Sequence, residues 1–435
     1  MKSNLPQAHP DHQTILSEAY ARPFLILTNP VLVTQLVMLQ TKLSRLRELE
    51  HLSELCTELG APEPAEGARF LHLDFGHFEI HWQQHLEYST YRFIRPTSGV
   101  PFEQSGLEYI PGDWLSSIPG EMISAVEVQT ESHEGEKTTN PERLAKIFNG
   151  KPPVGSEIRK SLSLIWSRFE PCKRGFVRYL LQVKHLAPAQ NGRLVNRVLE
   201  LEAYRLLALL STPMVKKIRP QLDRMDFAML LIADHIKRIS TIEDQQSLLI
   251  KLSSLAAEVE VLWSNSYRFS ASHAYFDLFN ERLTEMQETK LTAIMTAGEF
   301  LQRRMVPARR TLRHSQDRLS EISERIAHAR ELLQTNINMT IEHQNQDLLL
   351  SMEKRSHLQL RLQEAVEGLS IAAISYYLVS LTKYLILGLK SMGVHVNKDL
   401  ATALAVPVVI FTVWYTIHKI KDHVLEDHEK SPTDS

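Results

Sequence analysis

The chain has 435 residues, which is long enough for two or three domains with hydrophobic cores of their own. Its 49 lysines and arginines nearly balance its 51 aspartates and glutamates, and this balance argues against a general polyanion binder, so no nucleic-acid partner is expected. The two cysteines, Cys56 and Cys172, exclude a disulfide framework and a cysteine-based zinc site.

The first 185 residues predict an α+β domain with a small antiparallel sheet. Residues 1–65 are predicted to be mostly helical, because Leu25–Leu59 places leucines three and four residues apart. The sequence APEPAEG (Ala61–Gly67) ends this helical pattern, and from Phe70 the apolar residues alternate with a period of two. The predicted strands are Phe70–Trp82, Leu86–Phe93, Met122–Gln129, Glu157–Phe169 and Phe176–Lys184.

The pattern becomes helical after residue 185. Residues 186–314 predict a helical domain, and residues 315–368 predict a long stalk helix that continues towards the C-terminal apolar segment. The stalk carries apolar residues at heptad-like spacing, which is typical of a coiled-coil seam between chains. The residues of this predicted oligomer seam are Leu319, Ile322, Ile326 and Leu333.

Two apolar runs lie near the C-terminus, at 369–389 and 400–418, and a polar tail follows at 419–435. Each run is about the length of a bilayer span, so we expect a two-helix transmembrane hairpin. The N-terminal sequence has no apolar signal segment, and the first membrane-targeting element is therefore the run 369–389. This order predicts a large cytoplasmic body, a hairpin inserted late, and both termini in the cytoplasm.

Each predicted span carries a stripe of small or polar residues at helical spacing, which is the signature of helix packing in lipid. A single hairpin offers little surface to pack against, so the stripes favour self-association. Lys383 has two interpretations: its ammonium group reaches the interface by snorkelling, or it faces a cavity or pore. The residues of the two stripes are Tyr376, Ser380 and Lys383 in the first span and Thr402, Ala405, Thr412 and Thr416 in the second.

The stretch Leu71–Glu87 is the strongest candidate for a catalytic or metal-binding site, because it is rich in histidine and glutamate. On a strand, His81, His85 and Glu87 would share one face, and imidazole with carboxylate is a plausible ligand set for a transition metal. Successive residues on that face lie nearly 7 Å apart, however, which is wide for direct ligands. The alternative is a half-exposed strand face without a metal.

A second cluster of charged residues follows on a predicted helix. Glu200, Glu202, Tyr204 and Arg205 lie within six residues of one another, and Arg268 follows later in the chain. A buried Glu–Arg–Tyr network between packed helices accounts for this composition, and a catalytic carboxylate pair is the alternative.

The run Ile341–Leu381 closely resembles a signature of a bacterial family of uncharacterised membrane-anchored proteins. Two further stretches fit the same family: GRLVNRVLELEAYRLLALLSTP (Gly192–Pro213) and SYRFSASHAY (Ser266–Tyr275). The resemblance spans nearly the whole chain and implies anchoring in the bacterial inner membrane. It implies no activity, cofactor or site residue, because the family carries a domain of unknown function.

A weaker, architectural similarity links the chain to CorA-type magnesium channels, which also end in two spans. Those channels carry a Gly-Met-Asn motif after the first span, whereas this chain has Met392 followed by Gly393, with no adjoining Asn. Lys390 and Lys398 stand where an acidic ring would be expected, although Asp399 is present. This departure argues against magnesium selection.

We therefore expect a membrane-anchored, self-associating protein that presents a cytoplasmic domain for scaffolding or interaction. The absence of a catalytic motif favours a protein that is not an enzyme. A two-span ion channel is the alternative, and a metal-dependent enzyme that uses His81, His85 and Glu87 is the third hypothesis. The expected partners are membrane lipid and further copies of the chain. No cofactor is expected, because the sequence has no phosphate-binding glycine loop, nucleophile elbow or zincin helix.

Overall fold

The computed structural model describes residues 9–12, 25–158, 162–239, 241–264, 267–291, 295–391 and 398–429. The chain divides into two compact units, Met1–Arg330 and Glu331–Ser435. Residues 1–185 and the start of the predicted helical domain both lie in the first of these units.

The first unit combines one sheet with a set of helices; the helix Ala297–Ser391 begins in the first unit and continues into the second, which also contains the helix Lys398–Glu429. The strands are β1 (Val31–Leu39), β2 (Phe70–Asp74), β3 (Glu79–Gln84), β4 (Tyr88–Pro96), β5 (Glu121–Ser132), β6 (Val154–Ile158), β7 (Ser163–Pro171), β8 (Val177–Val183) and β9 (Glu288–Thr289). The helices are α1 (Lys42–Glu58), α2 (Gly112–Ser116), α3 (Glu136–Thr139), α4 (Pro141–Ile147), α5 (Pro188–Leu209), α6 (Thr212–Ile236), α7 (Ile242–Ser264), α8 (Tyr267–Glu285), α9 (Ala297–Ser391) and α10 (Lys398–Glu429).

The sheet has nine strands in the order β2-β3-β4-β1-β5-β8-β7-β6-β9. All neighbouring strands are antiparallel except β5 and β8, which are parallel. The α+β class and the mainly antiparallel pairing are confirmed. The prediction of a small sheet is wrong, because two predicted strands each fold as two, and β1 and β9 come from regions predicted to be helical.

The strand β1 corrects the prediction of a helix over Leu25–Leu59. Val31–Leu39 pairs with both β4 and β5, and eight of its nine residues are buried. Apolar residues three and four apart occur equally in a strand that is buried on both faces, and the valines of this segment favour a strand. The helix α1 starts only after Thr41, whose hydroxyl accepts a hydrogen bond from the Ser44 amide at 3.1 Å.

Two segments that were predicted as single strands fold as more than one. Phe70–Trp82 forms most of the β2–β3 hairpin, and its turn contains Gly76 with a φ of 79°. The Asp74 carboxylate accepts a hydrogen bond from the Gly76 amide at 2.8 Å, as is typical of an Asx turn. Glu157–Phe169 spans β6 and β7, between which residues 159–161 lie outside the described residues.

The two faces of the β2–β3–β4–β1 part of the sheet have different coverings. Trp82 and Tyr91 point to the face covered by α1, where they pack with Leu52 and Leu55 in one hydrophobic core. Because side chains alternate along a strand, the neighbours of Trp82 and Tyr91 point to the other face. On that face Gln35 donates a hydrogen bond to the Leu199 carbonyl of α5 at 3.3 Å.

The fully buried carboxylate of Glu48 joins α1 to the sheet. It accepts hydrogen bonds from Trp82 Nε1 at 3.0 Å, Tyr91 Oη at 2.8 Å and Ser89 Oγ at 2.9 Å. Gln40 Nε2 donates a further bond at 3.0 Å. The charge is thus stabilised by hydrogen-bond donors, and among the described residues no cation forms an ion pair with it.

The helices α6, α8 and α9 are joined by ion pairs. Arg318 contacts Asp223 at 2.9 Å, Arg325 contacts Asp226 at 3.1 Å, and Arg309 of α9 contacts Asp277 of α8 at 2.8 Å. The four side chains of the predicted oligomer seam are buried within the single chain, so they offer no open surface to a second copy. Their exposed fractions are 0% for Leu319, 1% for Ile322, 4% for Ile326 and 1% for Leu333.

In the second unit α9 continues as a helix whose residues 341–366 are all exposed. One helix among the described residues, α9, contains a segment long and apolar enough to cross a membrane, and only 6% of that segment is buried. A shorter apolar stretch, Ala403–Lys419, lies in α10. Ser375 and Val413 are buried, while large apolar side chains such as Leu381 and Phe411 are exposed.

We predict that Glu48→Leu lowers the free energy of unfolding by at least about 3 kcal/mol. Removing the acceptor leaves the buried donors of Trp82, Tyr91 and Ser89 without partners, and each unmet donor costs about 1–3 kcal/mol. Urea denaturation of the detergent-purified chain, followed by tryptophan fluorescence, measures the change. Glu50→Leu, on the exposed side of α1, is the control and should change stability by less than about 0.5 kcal/mol. Equal effects of the two substitutions would contradict this role for Glu48.

Candidate functional site

A cavity of about 630 Å³ lies between the sheet and the helices α5 and α8. Its floor consists of β1, β3 and β4 on the face opposite α1. Its volume is in the range of sites for small organic ligands. The lining residues are Leu25, Gln35, Gln83, His85, Tyr88, Thr90, Arg92, Gly192, Arg193, Asn196, Arg197, Glu200, Ala203, Tyr204, Arg282 and Glu285.

The polar floor of the cavity follows from the period of β4. Tyr88, Thr90 and Arg92 occupy alternate positions and therefore share one face of the strand. The register places Gln83 of β3 opposite Thr90, and Gln35 of β1 opposite Arg92.

The rim of the cavity requires a glycine on α5. A Cβ atom at Gly192 would overlap the carbonyl oxygen of Leu25, so only glycine allows these two backbones to approach so closely. The neighbouring Asn191 donates a hydrogen bond to the Leu27 carbonyl at 3.1 Å. The segment that begins at Leu25 is thus held against the first turns of α5.

Two glutamates in the wall are already paired with arginines. Glu200 accepts hydrogen bonds from Arg282 Nε at 2.6 Å and Asn196 Nδ2 at 2.9 Å. Glu285 accepts from Arg197 Nε at 3.0 Å and Arg282 Nη1 at 2.7 Å. Both carboxylates therefore serve to hold α5 and α8 together.

Arg92 differs from the other charged residues of the cavity. Its Nε donates to the neutral Gln35 Oε1 at 2.8 Å, and within the described residues no carboxylate lies within 4 Å of its guanidinium nitrogens. Burial lowers the pKa of Arg92, and the more distant Glu200 only partly opposes that shift. With four arginines and two glutamates in its lining, the cavity has an excess of positive charge.

Two further donors of the lining have no hydrogen-bond partner in the described part of the chain. They are Arg197 Nη1 and Thr90 Oγ1, and both atoms are buried. Buried polar groups are almost always hydrogen-bonded, so such atoms call for an explanation. A bound ligand with acceptor atoms would satisfy both donors and would neutralise Arg92.

A histidine–carboxylate cluster lies on the same face of the sheet as Arg92. Glu79 Oε2 lies 3.2 Å from His72 Nε2 and 2.9 Å from His81 Nε2. His81 stands opposite Arg92 in the β3–β4 register. Burial lowers the pKa of His81, and the hydrogen bond from His81 lowers the pKa of Glu79.

The predicted ligand set of His81, His85 and Glu87 is not brought together as a cluster. Only His81 belongs to the cluster of possible ligands found in the described residues, which also contains His72 and Glu79. The His85 ring stacks on Tyr88, with centroids 4.2 Å apart. The Glu87 carboxylate accepts hydrogen bonds from Arg268 at 3.1 and 3.2 Å, and thereby ties the β3–β4 turn to α8.

Of the residues expected in a Glu–Arg–Tyr network between helices, Glu202 and Arg205 lie on the same helix and are joined by Tyr179 of β8, whereas Glu200 is not part of this group. Glu202 is fully buried, forms an ion pair with Arg205 and accepts a hydrogen bond from Tyr179 Oη at 2.6 Å. Burial raises the pKa of Tyr179, so its hydroxyl stays protonated and donates. Glu200 instead faces the cavity.

The predicted packing residues of the C-terminal hairpin lie mostly on its outside. Tyr376, Lys383, Thr412 and Thr416 are exposed, and Ser380 and Ala405 are half-buried. Thr412 and Thr416 each donate to a carbonyl of their own helix at 2.7 Å, which satisfies their hydroxyl groups. The side chain of Thr402 lies outside the described residues.

Sequence reasoning missed Arg92, Arg197 and Arg282 as residues of one site. A partial signal for Arg92 is available, because Thr90 and Arg92 place polar side chains at alternate positions of β4. No comparable signal exists for Arg197 and Arg282, which lie about 85 residues apart and meet only through the packing of α5 against α8.

Residues 7–424 match the model of a family described as a protein of unknown function, DUF3422. No curated protein and no solved structure matches the chain. The match covers nearly the whole sequence, and the chain belongs to this family of proteins of unknown function.

Proposed function

We propose that this protein is a membrane-anchored binding protein for a small organic anion, which it holds in the arginine-lined cavity. The observation that carries the proposal is Arg92, a half-buried cation of the cavity floor whose hydrogen-bond partner is a neutral amide.

The argument starts from the cost of burying charge. An ionised group in a protein interior is costly unless it is paired and hydrogen-bonded. Two buried glutamates of this unit are paired with arginines: Glu202 with Arg205, and Glu127 with Arg178 at 2.9 Å. A third, Glu48, is surrounded by hydrogen-bond donors. The half-buried Arg92 has only the neutral Gln35 as its hydrogen-bond partner among the described residues, and an anion in the cavity would supply a charged one.

The chemistry of the donors defines the class of ligand. Guanidinium groups bind carboxylates and phosphates in bidentate geometry, and a nearby hydroxyl adds a further donor. Arg92, Arg197 and Thr90 would therefore face the anionic group of the ligand. The rings of Tyr88 and Tyr204 also line the cavity and offer apolar surface to the rest of it. These features favour an organic phosphate or carboxylate over a simple inorganic ion.

The membrane anchor of the proposal is the apolar segment at the end of α9, together with the apolar stretch of α10. The support is the exposed apolar surface of both helices, for instance Leu385 at 61% and Val408 at 63%. Such exposure is unfavourable in water and expected in lipid. The proposed topology is the one expected from the sequence, a cytoplasmic body followed by a two-span hairpin in a bacterial inner membrane.

We predict that the detergent-purified chain binds a probe anion with a Kd below about 1 mM, and that Arg92→Met weakens this binding at least about tenfold. Loss of a hydrogen bond to a charged group costs about 1.5–3 kcal/mol, which corresponds to that factor or more. Isothermal titration calorimetry with inorganic phosphate, adenosine monophosphate and citrate separates phosphate from carboxylate recognition.

Arg224→Met is the matched control for this titration, since Arg224 is exposed and paired with Glu258 away from the cavity. It should bind the probe as the wild type does. Arg92→Lys keeps the charge and should give an intermediate affinity. The proposal fails if the wild type binds none of the three probes, or if Arg92→Met and Arg224→Met bind them equally.

We predict that the wild-type chain stays in the membrane pellet after carbonate extraction, and that Leu381→Arg with Leu385→Arg releases a large fraction of it. A charged residue at the centre of a span costs about 2.5–3.5 kcal/mol on insertion scales. Leu349→Arg with Leu360→Arg is the control, because these leucines are equally exposed but lie before the apolar segment. Complete release of the wild type by carbonate would contradict membrane anchoring.

A second candidate function, self-association for scaffolding, is favoured by the exposed segment of α9 at residues 341–366. Residues 341–366 form a helix of about 39 Å that is exposed on all sides. Ile341, Leu348, Leu362 and Leu369 occupy four of the five positions of a seven-residue repeat whose middle position is Arg355, with Leu358 between repeat positions, as in a coiled-coil seam. This proposed seam lies further along α9 than the one predicted from the sequence.

We predict that the detergent-solubilised chain is a dimer or larger, and that Leu362→Glu shifts it towards monomer. A charge in the seam would be buried between helices, whereas a charge on the far face would stay in water. Leu360→Glu supplies that far-face control, two residues away and of comparable exposure, 54% against 66%. Multi-angle light scattering gives the mass of each variant. A monomeric wild type would rule out self-association.

A further inference from the structure

We propose that His72, Glu79 and His81 form a binding site for one divalent transition-metal ion. The site lies on the β2–β3 hairpin, outside the arginine-lined cavity. It does not depend on the anion proposal, because none of its three side chains lines that cavity.

The backbone brings the three side chains to one place. His72 and His81 stand directly opposite each other in the β2–β3 register, and Glu79 precedes His81 by two residues on the same strand. All three therefore point to the same face of the hairpin. The two imidazole rings have centroids 4.1 Å apart. The Asx turn at Gly76 and the cross-strand hydrogen bonds fix this arrangement.

The distances between the possible ligand atoms suit a metal ion. Zinc–nitrogen and zinc–oxygen bonds of about 2.0–2.2 Å in tetrahedral geometry separate neighbouring ligand atoms by about 3.3 Å, and octahedral geometry by about 2.9 Å. The Glu79 oxygen lies 3.2 Å from the His72 nitrogen and 2.9 Å from the His81 nitrogen. All three ligand atoms lie within 4.8 Å of one another.

The donor set selects the kind of metal. Two imidazoles and one carboxylate on one side of an ion leave further positions open, as in catalytic zinc sites and in the facial triad of non-haem iron. Imidazole favours zinc, iron, cobalt, nickel and copper over magnesium and calcium.

The two histidines differ in exposure, and this difference would allow an ion both to enter the site and to be retained there. His72 is exposed, with 43% of its side chain accessible, so an ion can reach the site from solvent. His81 is mostly buried, with 10% of its side chain accessible, and it would hold the inner side of the ion. Arg92 stands opposite His81 in the register, so an anion bound at Arg92 would lie on the same sheet face as the metal.

The test is calorimetric titration of the detergent-purified, EDTA-stripped full chain with zinc chloride, with magnesium chloride as the comparison. We expect about one zinc per chain and no comparable binding of magnesium. His72→Gln, an exposed position that leaves the fold intact, should weaken zinc binding at least about tenfold, and His81→Gln should do the same. Cobalt(II) gives a second readout, because binding produces a visible absorption band that both variants should lose.

The control is His77→Gln, which alters an exposed histidine on the neighbouring turn that contacts the Phe75 carbonyl at 3.0 Å. It should bind zinc as the wild type does, which separates this site from incidental binding by the 19 histidines of the chain. Absence of zinc binding by the wild type overturns the proposal. Binding that survives both His72→Gln and His81→Gln also overturns it, because the ion would then occupy another site.

Discussion

The pairing of β1 with both β4 and β5 is the constraint on which the first unit depends. Without β1 the sheet would separate into β2–β3–β4 and the five strands from β5 to β9. Because β1 lies between the two parts, its side chains are buried on both faces. Leu36 packs in the core beneath α1, whereas Gln35 on the other face contacts both α5 and Arg92. The same strand thus forms the core and positions the floor of the cavity.

Polar groups inside this unit fall into two kinds. Glu48 and Glu202 are fully buried carboxylates surrounded by donors, and they join helices to the sheet. Arg92 is half-buried at the cavity floor, its hydrogen bond goes to a neutral amide, and nearby donors of the cavity have no partner in the described chain. A satisfied buried charge stabilises a fold, whereas an incompletely satisfied one in an open cavity favours a ligand. This contrast is the reason for locating the candidate function at Arg92 rather than at the glutamates.

A sequence pattern predicts a structure reliably only where its spacing of apolar residues does not fit a second structure equally well. Leucines at positions such as 32, 36 and 39 suit an amphipathic helix and a strand buried on both faces, and here the strand prevailed. The heptad positions from Leu319 to Leu333 suit an interchain seam and a helix buried in its own chain, and here these residues are buried within one chain. Period alone does not say which neighbour covers an apolar face. Tertiary contacts supply that neighbour.

The sequence by itself determined the α+β class, the mainly antiparallel strands, the long C-terminal helix with its apolar segment, and membership of a family of unknown function. These features depend on local periodicity and composition, which can be recognised within a sequence window of about ten to twenty residues. Only the tertiary structure decided the nine-stranded order, the cavity and the cluster of His72, Glu79 and His81. Arg92, Arg197 and Arg282 come from three distant segments and meet only when α5 and α8 pack against the sheet. Their proximity depends on long-range register and packing, on which spacing along the chain carries no information.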